Sequence, residues 1–304
     1  MKKIEGSKLR FMAGLCACFL GMTALTGCSG QKAQAETVSE DKTTGAETGA
    51  KTGTDGRPVL KVGFEGTTSP CSWTQGDDSN GAIPITGGSE YLSGFEVQYM
   101  KKICEAAGYD LEAYKIDWDG LMMAVSSGKI DCAISMIAPT EERQNTMDFT
   151  EPYYYADTVI LTRKDSPYAG STTLADFSGA KVTSMLNTLW YNQVDQIPGV
   201  EKTLAMENIP VMLVAVKSGT VDGILVDEPT ARGSVAANPE LSMAPIVKGE
   251  GGFQIDKKDT AVAIAVTKGK VDVTNALNQA IDEIDAETLS QMIEDACQTA
   301  PSGN

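Results

Sequence analysis

Apolar positions along the chain recur first with the two-residue period of a strand and then with the 3.6-residue period of a helix. This alternation predicts an α/β protein. Residues 59–65 (VLKVGFE) alternate apolar and polar side chains, which is typical of a strand. Residues 95–107 place apolar side chains at helical spacing before Gly108, a helix stop. A strand over 111–116 and a helix over 119–125 repeat the order. Strands that alternate with helices predict a parallel sheet with crossover connections.

The same order restarts in the second half of the chain. Residues 124–131 (AVSSGKID) resemble residues 215–222 (AVKSGTVD), and each segment follows an apolar helix and precedes an apolar strand. One repeat at this distance is too long and too rare for a solenoid. The pattern predicts two similar α/β lobes that face each other across a cleft. Lobe 1 takes residues 58–162 and 256–300, and lobe 2 takes residues 163–255.

The stretch from residue 132 to Arg143 carries the most specific candidate chemistry. Residues 132–137 are a short apolar run, which predicts a buried strand. Thr140 is a candidate N-cap because acidic residues follow it in the first turn. Arg143 is then expected near a helix start just past a strand, where ligands bind in open α/β sheets. A guanidinium beside free N–H groups predicts a carboxylate site.

The internal repeat places Asp227 opposite Arg143. The strand that ends at Ser135 and Met136 corresponds to the strand that ends at Val226 and Asp227. If the lobes face each other, both strand ends look into one cleft. A guanidinium on one wall and a carboxylate on the other predict a zwitterion site, with the ligand ammonium on Asp227. The alternative is that Asp227 only caps the next helix.

The first 57 residues predict a targeting segment and a tether. Residues 2–10 carry three Lys and one Arg, and residues 11–26 are small and apolar, which is typical of an export signal. The ending Leu-Thr-Gly-Cys resembles a lipobox, so we expect cleavage after residues 1–27 and lipid on Cys28. A plain secretory signal with an incidental cysteine is the alternative. Residues 28–57 lack aromatic side chains and predict a disordered tether.

Composition excludes several classes of function. The formal net charge of −16 argues against nucleic acid and anionic lipid surfaces as partners. The chain has no histidine, which removes histidine-dependent catalysis and most zinc sites. Beyond the signal and the anchor, Cys71, Cys104, Cys132 and Cys297 match no metal motif, and both disulfides and free thiols stay open. No metal, cofactor or catalytic residue is predicted.

Ordered motifs resemble the extracellular solute-binding proteins of polar amino-acid ABC transporters, bacterial solute-binding protein family 3, in their lipoprotein form. The resemblance runs over residues 59–297, and its motifs are VGFE, SPCSW, GFEVQYMKKI, DWDGLMMAVSSGKIDCAIS, PTEER, MDFTEPYY, DEP and AIAVTKG. The resemblance implies a two-lobed, periplasmic-binding-protein-like clamshell with two hinge strands. It implies capture of a free amino acid and delivery to an ABC permease. It also implies a monomer, lipid-anchored through Cys28 at the extracytoplasmic face of the cell membrane.

The resemblance also assigns ligand contacts. It implies that Arg143 holds the α-carboxylate, and that Asp227 and the backbone oxygen of Met136 take the α-ammonium. Backbone N–H groups of Ala138 and Leu189 are expected to bind the carboxylate. Ala138 replaces the Ser or Thr that is common in the family, so one hydroxyl contact is lost.

Aromatic and acidic residues near the cleft are expected to set selectivity. Trp118 stands where a flat apolar residue often covers the ligand. The loop 66–70 lacks the aromatic that commonly stacks there, and Trp73 or Tyr91 is expected to substitute. Glu65 either meets a cationic side chain, as for lysine, arginine or ornithine, or only accepts hydrogen bonds from loop N–H groups. In the first case Trp118 adds cation–π attraction.

Two other functions stay open. One is an enzyme on the same scaffold, similar to cyclohexadienyl or arogenate dehydratase, with Glu65 as a proton donor whose pKa is raised by burial. The lipid-anchor motif and an acid suited to an ammonium argue against it. The other is a sensory ectodomain, which would have to signal through a partner because no transmembrane segment is predicted after residue 297.

Overall fold

The computed structural model describes Gly53 and residues 56–301. This part of the chain contains two five-stranded mixed sheets, each packed with its own helices. The predicted signal, Cys28 and most of the predicted tether lie outside the described residues. We call the body around the first sheet the first lobe and the body around the second sheet the second lobe.

The strands and helices alternate along the described chain, with short 3₁₀ turns between some of them. The strands are β1 (Val59–Phe64), β2 (Thr67–Thr68), β3 (Ser72–Gln75), β4 (Ile83–Pro84), β5 (Tyr91–Ser93), β6 (Asp110–Lys115), β7 (Cys132–Ala133), β8 (Met147–Phe149), β9 (Tyr154–Tyr155), β10 (Thr158–Arg163), β11 (Lys181–Thr183), β12 (Glu201–Lys202), β13 (Gly223–Asp227), β14 (Leu241–Met243), β15 (Ala261–Val262) and β16 (Ala265–Thr267). The helices are α1 (Phe95–Ala106), α2 (Trp118–Ser126), α3 (Glu141–Gln144), α4 (Leu189–Gln193), α5 (Ile209–Ser218), α6 (Glu228–Ala237), α7 (Val271–Asp282) and α8 (Ala286–Thr299).

The first sheet has the order β6-β1-β7-β16-β8. Strand β1 runs parallel to both neighbours and pairs Val62 with Cys132 of β7. Strand β16 runs antiparallel to β7 and to β8. The predicted crossover pattern is therefore right for β6, β1 and β7. Strand β16, for which the sequence analysis predicted no direction, enters the sheet from the end of the chain and runs in the opposite direction.

The second sheet has the order β12-β11-β13-β10-β14. Strand β11 runs parallel to β12 and β13, whereas β10 runs antiparallel to β13 and β14. Residues 158–162, which the sequence analysis assigned to lobe 1, therefore pair in the second sheet. Ile160 and Leu161 of β10 have no exposed surface, and the apolar neighbours on both faces of this sheet cover them.

Two short strands lie where the chain passes between the sheets. After β8 the chain forms β9 and then enters the second sheet at β10, and after β14 it forms β15 and then re-enters the first sheet at β16. Strands β9 and β15 pair with each other, Tyr155 with Ala261 and Tyr154 with Val262. This two-stranded ladder holds the two passages side by side, as the predicted pair of hinge strands requires.

An antiparallel sheet of order β2-β3-β5-β4 occupies residues 67–93. It ends at Gly94, whose φ is +129° and whose Cβ would lie 2.2 Å from the Cys71 carbonyl oxygen if one were present. The close approach lets Phe95 N–H donate to Pro70 O at 2.9 Å and Glu96 N–H donate to Cys71 O at 3.1 Å. The start of α1 is fixed against this sheet.

The C-terminal helices pack back on the first lobe, as predicted. Both α7 and α8 pack on α1, and α8 also packs on α6 of the second lobe. Arg232 of α6 forms ion pairs with Glu228 and with Glu294 of α8. Within residues 56–301, no helix combines the length and the apolar character that a membrane span needs.

Candidate ligand-binding site

A small cavity of about 30 Å³ lies between the lobes. This volume holds on the order of two water molecules, so the lobes have to separate before an amino acid can enter. Residues of both sheets and of the loops that follow their strands line it. They are Glu65, Thr68, Cys71, Trp118, Ser135, Met136, Ser184, Met185, Thr188, Trp190, Ile209, Leu225, Val226, Asp227 and Thr230.

Five of the residues that the sequence analysis selected meet at this cavity. Glu65, Trp118, Ser135 and Met136 come from the first lobe, and Asp227 comes from the second. None of the cavity's lining residues is a lysine or an arginine. The cavity therefore has two acidic side chains, one from each lobe, and no cationic side chain in its wall.

Asp227 ends β13 and begins α6. Its Oδ1 accepts a hydrogen bond from the backbone N–H of Thr230 at 2.8 Å, so it is the N-cap of that helix. Burial raises its pKa to about 6, against the lowering effect of the bonds from Thr230. The carboxyl therefore caps a helix and also lines the cavity.

Glu65 follows β1 directly and is 5% exposed. Its Oε1 accepts from the Thr67 hydroxyl at 2.8 Å, and its Oε2 accepts from the Thr68 hydroxyl at 3.1 Å. The loop donors are therefore hydroxyl groups and not N–H groups. Burial raises the pKa of this carboxyl, and the two hydroxyl bonds lower it in part. Each carboxylate oxygen keeps a further lone pair, so Glu65 can still accept from a ligand cation.

Met136 shapes the first-lobe wall through its backbone. The sheet contains only Cys132 and Ala133 of the run that the sequence analysis extended to residue 137. Met136 then adopts φ +48°, a left-handed conformation that costs an ordinary residue roughly 1–2 kcal/mol. Its N–H donates to Glu96 Oε1 at 2.8 Å, which holds the turn.

Glu96, in the first turn of α1, has no exposed surface. Its Oε1 accepts a second bond from the Tyr153 hydroxyl at 2.6 Å. Its Oε2 has no hydrogen-bond partner among the described residues. Burial raises the pKa of this carboxyl to about 7, and the repulsion from Asp227 and Glu65 adds to the rise. Sequence reasoning missed Glu96 because an acid at the start of a helix is ordinarily a solvated first-turn residue.

Arg143 lies outside this cavity. Thr140 caps α3 as predicted, accepting from Arg143 N–H at 3.3 Å. The guanidinium donates from Nη1 to Ala138 O at 2.9 Å and from Nη2 to Asn187 O at 3.0 Å, and it lies 5.2 Å from the centre of the Trp118 ring. In this arrangement Arg143 and Asp227 do not line the same cavity, and two of the guanidinium N–H groups donate to backbone carbonyls.

A larger cleft of about 710 Å³ contains Arg143 and Leu189, the first residue of α4. Trp118 and Thr188 line both this cleft and the small cavity, so the two spaces are neighbours. Across the cleft, Asn187 Nδ2 donates to Asp119 Oδ1 at 2.9 Å. With the Arg143 bond to Asn187 O, this contact connects the two lobes.

Trp73 and Ala138 do not line the small cavity. The Trp73 indole is 2% exposed, donates from Nε1 to Gln75 Oε1 at 3.0 Å and faces a separate pocket beside α5. Its place in β3 directs it into the core, so it cannot substitute for the missing aromatic. Tyr91, in β5, is also absent from the wall. Trp190 of α4 supplies a second aromatic side chain there, which the sequence analysis did not select.

Cys71, Cys104, Cys132 and Cys297 are free thiols. Within the described residues, no three side chains of the histidine, cysteine, aspartate and glutamate types come close enough to hold a metal ion.

Residues 60–295 match the family model described as bacterial extracellular solute-binding proteins, family 3. The chain belongs to this family. The predicted family and the predicted two-lobed α/β fold class are confirmed.

Curated relatives of this family 3 protein have names that specify amino acids. A probable histidine-binding protein of Campylobacter jejuni is 28% identical over 276 residues, covering 90% of this chain and 93% of the relative. The arginine-binding extracellular protein ArtP of Bacillus subtilis is 26% identical, covering 76% of this chain and 82% of the relative. The L-cystine-binding protein TcyJ of Escherichia coli is 28% identical, covering 78% and 81%.

Solved structures of the family share the two-lobed fold. An ancestral arginine-binding protein bound to arginine has a TM-score of 0.62 and 28% identity, covering 78% of this chain and 96% of that chain. The amino acid ABC transporter substrate-binding protein AbpA of Streptococcus pneumoniae has a TM-score of 0.65 and 24% identity, covering 79% and 94%. At that identity the second likeness shows the fold alone.

Proposed function

We propose that this family 3 protein captures a cationic amino acid between its lobes and delivers it to an ABC permease in the membrane. The observation that carries the proposal is the pair of buried acids at the cavity, Glu65 from the first lobe and Asp227 from the second, with no cationic side chain in the wall. The proposed role is binding without catalysis, and it uses both acids.

The charge distribution favours a ligand with two positive groups. Two buried carboxylates that face one cavity without a cation repel each other and lose hydration, which raises the free energy of their ionised forms. An α-ammonium at Asp227 and a side-chain guanidinium or ammonium at Glu65 relieve both costs. Trp118 and Trp190 add aromatic faces, which attract cations.

The ligand carboxylate needs a positive partner, and the neighbouring cleft supplies one. We assign it to Arg143, together with the backbone N–H of Leu189 at the start of α4 and that of Ala138. In this role the carboxylate replaces the backbone oxygens of Ala138 and Asn187 as acceptors of the guanidinium. Because Trp118 and Thr188 border both spaces, a single extended amino acid can reach from Arg143 to the small cavity.

Ligand contacts from both lobes stabilise the closed arrangement of the protein. Ligand contacts to Glu65 and Arg143 in the first lobe and to Asp227 in the second stabilise only the arrangement in which the lobes meet. A ligand shifts such an equilibrium by its difference in affinity for the two states, and a shift from 1:99 to 99:1 needs roughly 5.5 kcal/mol. The permease then recognises the joined lobes. Relatives named for arginine, histidine and cystine support an amino acid as the ligand.

The proposal includes the location and the division of the chain. Residues 1–27 act as a lipoprotein signal, Cys28 carries the lipid anchor, and the body works as a monomer at the extracytoplasmic face of the membrane. The two lobes are the ligand-binding unit. With Thr158–Arg163 in the second sheet, their first boundary falls between β9 and β10.

A thermal-shift panel on the purified protein tests the proposed class of ligand. We expect L-arginine, L-lysine and L-ornithine to raise the Tm, since a ligand at a hundredfold excess over its Kd adds about 2.7 kcal/mol to stability. Neutral L-citrulline and L-glutamine and acidic L-glutamate, at the same concentration, serve as controls. A larger shift with a neutral or acidic amino acid than with any cationic one contradicts the proposal.

A further inference from the structure

We propose that Glu96 is a positioning residue of the ligand cavity and that it gives up a proton when a cationic ligand binds. This inference rests on the proposed function, because it needs a cation between Glu65 and Asp227. It adds a third buried acid, which lies behind the wall and is not itself a lining residue.

The geometry connects Glu96 to the wall directly. Its Oε1 accepts from the N–H of Met136, a lining residue held in the left-handed conformation, and from the hydroxyl of Tyr153 just before the hinge strand β9. Both donors stay satisfied whether or not the other oxygen carries a proton. Oε2 has no hydrogen-bond partner among the described residues. It is therefore the atom that can gain or lose a proton without breaking the turn at Met136.

The surroundings of Glu96 oppose its charge when the cavity lacks a cation. The acidic groups that act on it are Asp227 of the second lobe and Glu65 of the first, and both disfavour its ionised form. The Cys71 thiol lies close to the same three acids, and its pKa is held well above 9 by burial first and by their charges second. Tyr153 faces Glu96 with its hydroxyl and packs on Tyr99 at 5.3 Å between ring centres.

A bound ligand cation favours the ionised form of Glu96. When an ammonium or guanidinium enters between Asp227 and Glu65, its positive charge favours ionisation of the acid behind them. The O–H bond at Oε2 then breaks, the electron pair stays on the carboxylate, and the proton passes to solvent. Because Glu96 has a pKa of about 7 before binding, this proton is released near neutral pH. The affinity for the cationic ligand should therefore rise as pH approaches 7, by up to about tenfold per pH unit when one proton is released.

The substitution Glu96→Gln separates this effect from a structural role. Glutamine keeps an oxygen that accepts from Met136 N–H and from the Tyr153 hydroxyl, but it cannot titrate. The matched control is Glu105→Gln, the same change on an exposed position of the same helix α1. The experiment titrates L-arginine into each protein at pH 6.5, in two buffers that differ in ionisation enthalpy, and the difference in heat gives the protons released.

We expect the unsubstituted protein and Glu105→Gln to release the same number of protons, including most of one from Glu96. Glu96→Gln retains binding but releases fewer, and its affinity rises less steeply between pH 6 and pH 8. Equal proton release by Glu96→Gln and the unsubstituted protein overturns the proposal. Absence of any binding of arginine or lysine overturns the proposed function and the proton release with it.

A ligand-free measurement decides separately whether Glu96 titrates. A carboxyl whose pKa is raised in the folded state keeps its proton in a pH range where the unfolded chain has already lost it. Its contribution to the free energy of unfolding therefore falls as pH rises from about 4 to 7. We expect the Tm difference between the unsubstituted protein and Glu96→Gln to favour the unsubstituted protein more at pH 5.5 than at pH 8. A difference that does not change with pH shows that Glu96 stays in one protonation state and refutes the inference.

Discussion

The two strand ends that meet at the cavity are built differently, although the sequence before them is repeated. In the second lobe, β13 continues to Asp227, and α6 begins at the next residue. In the first lobe, β7 stops after two residues, and irregular backbone continues through Met136 to the four-residue helix α3. The same apolar approach thus leads to a regular strand-to-helix turn on one wall and to a strained turn on the other.

The difference shows two ways of holding an acid at a ligand cavity. Asp227 supplies the helix cap and the cavity carboxyl in one side chain, and its cap partner Thr230 is three residues away. The first-lobe wall obtains its turn from Glu96, 40 residues earlier in the chain than Met136, and its own acid from Glu65. We expect substitution of Asp227 to reduce both the stability that comes from the helix cap and the affinity for the ligand. Substitutions on the first-lobe wall should change stability and affinity independently.

The largest effect is expected from Asp227→Ala. Removing one partner of a buried charge pair costs about 3–5 kcal/mol, so the affinity for a cationic amino acid should fall by more than about 100-fold in a calorimetric titration. The lost helix cap should also lower the free energy of unfolding by about 1 kcal/mol, measured by urea denaturation.

Asp285→Ala is the matched control for the cap. Asp285 caps α8 by accepting from Thr288 N–H at 2.7 Å, and it lines neither the cavity nor the cleft. It should lose a similar amount of stability and keep its affinity. If Asp227→Ala behaves like Asp285→Ala in both measurements, Asp227 is a helix cap only, and the assignment of the ligand ammonium to it fails.

The smallest effect is expected from Thr140→Ala, on the first-lobe wall. The Thr140 hydroxyl accepts from Arg143 N–H at 3.3 Å, a long bond that caps only one turn. The free energy of unfolding should fall by about 0.5–1 kcal/mol, and the affinity should change by less than about threefold. Asn208→Ala, which removes the cap of α5 in the second lobe, is the comparison. A much larger loss of affinity than of stability would mean that α3 positions the ligand more tightly than its single turn indicates.

Much of the fold follows from periodicity because its elements are long and their faces are distinct. The boundaries of β1, α1 and α2 agree with the apolar spacing to within one or two residues. The repeat correctly brought the ends of β7 and β13 to one cavity, since a repeated helix–turn–strand unit repeats its geometry. The direction of a strand could not be predicted from the sequence in the same way. A short apolar run such as Ala265–Thr267 does not specify whether the strand pairs parallel or antiparallel with its neighbours.

The parts of the site that the sequence did not reveal depend on contacts between distant residues. Glu96 has an ordinary first-turn position, and its burial comes from Met136 and Tyr153, 40 and 57 residues away. Arg143 was placed correctly at the start of α3. The direction of its guanidinium depends on the carbonyl of Asn187 in the other lobe, which no local pattern predicts.

The most direct test of the account compares L-arginine with L-citrulline, its uncharged isostere, by calorimetric titration of the unsubstituted protein and of Glu65→Gln. A hydrogen bond to a charged group contributes about 1.5–3 kcal/mol, so the unsubstituted protein should prefer arginine by roughly 10- to 100-fold. Glu65→Gln should reduce that preference to less than about threefold, whereas Glu90→Gln, on an exposed residue beside β5, should leave it unchanged. Equal affinities for the two ligands in the unsubstituted protein, or a preference that survives Glu65→Gln, would contradict the claim that opposed acids from the two lobes select a cationic amino acid.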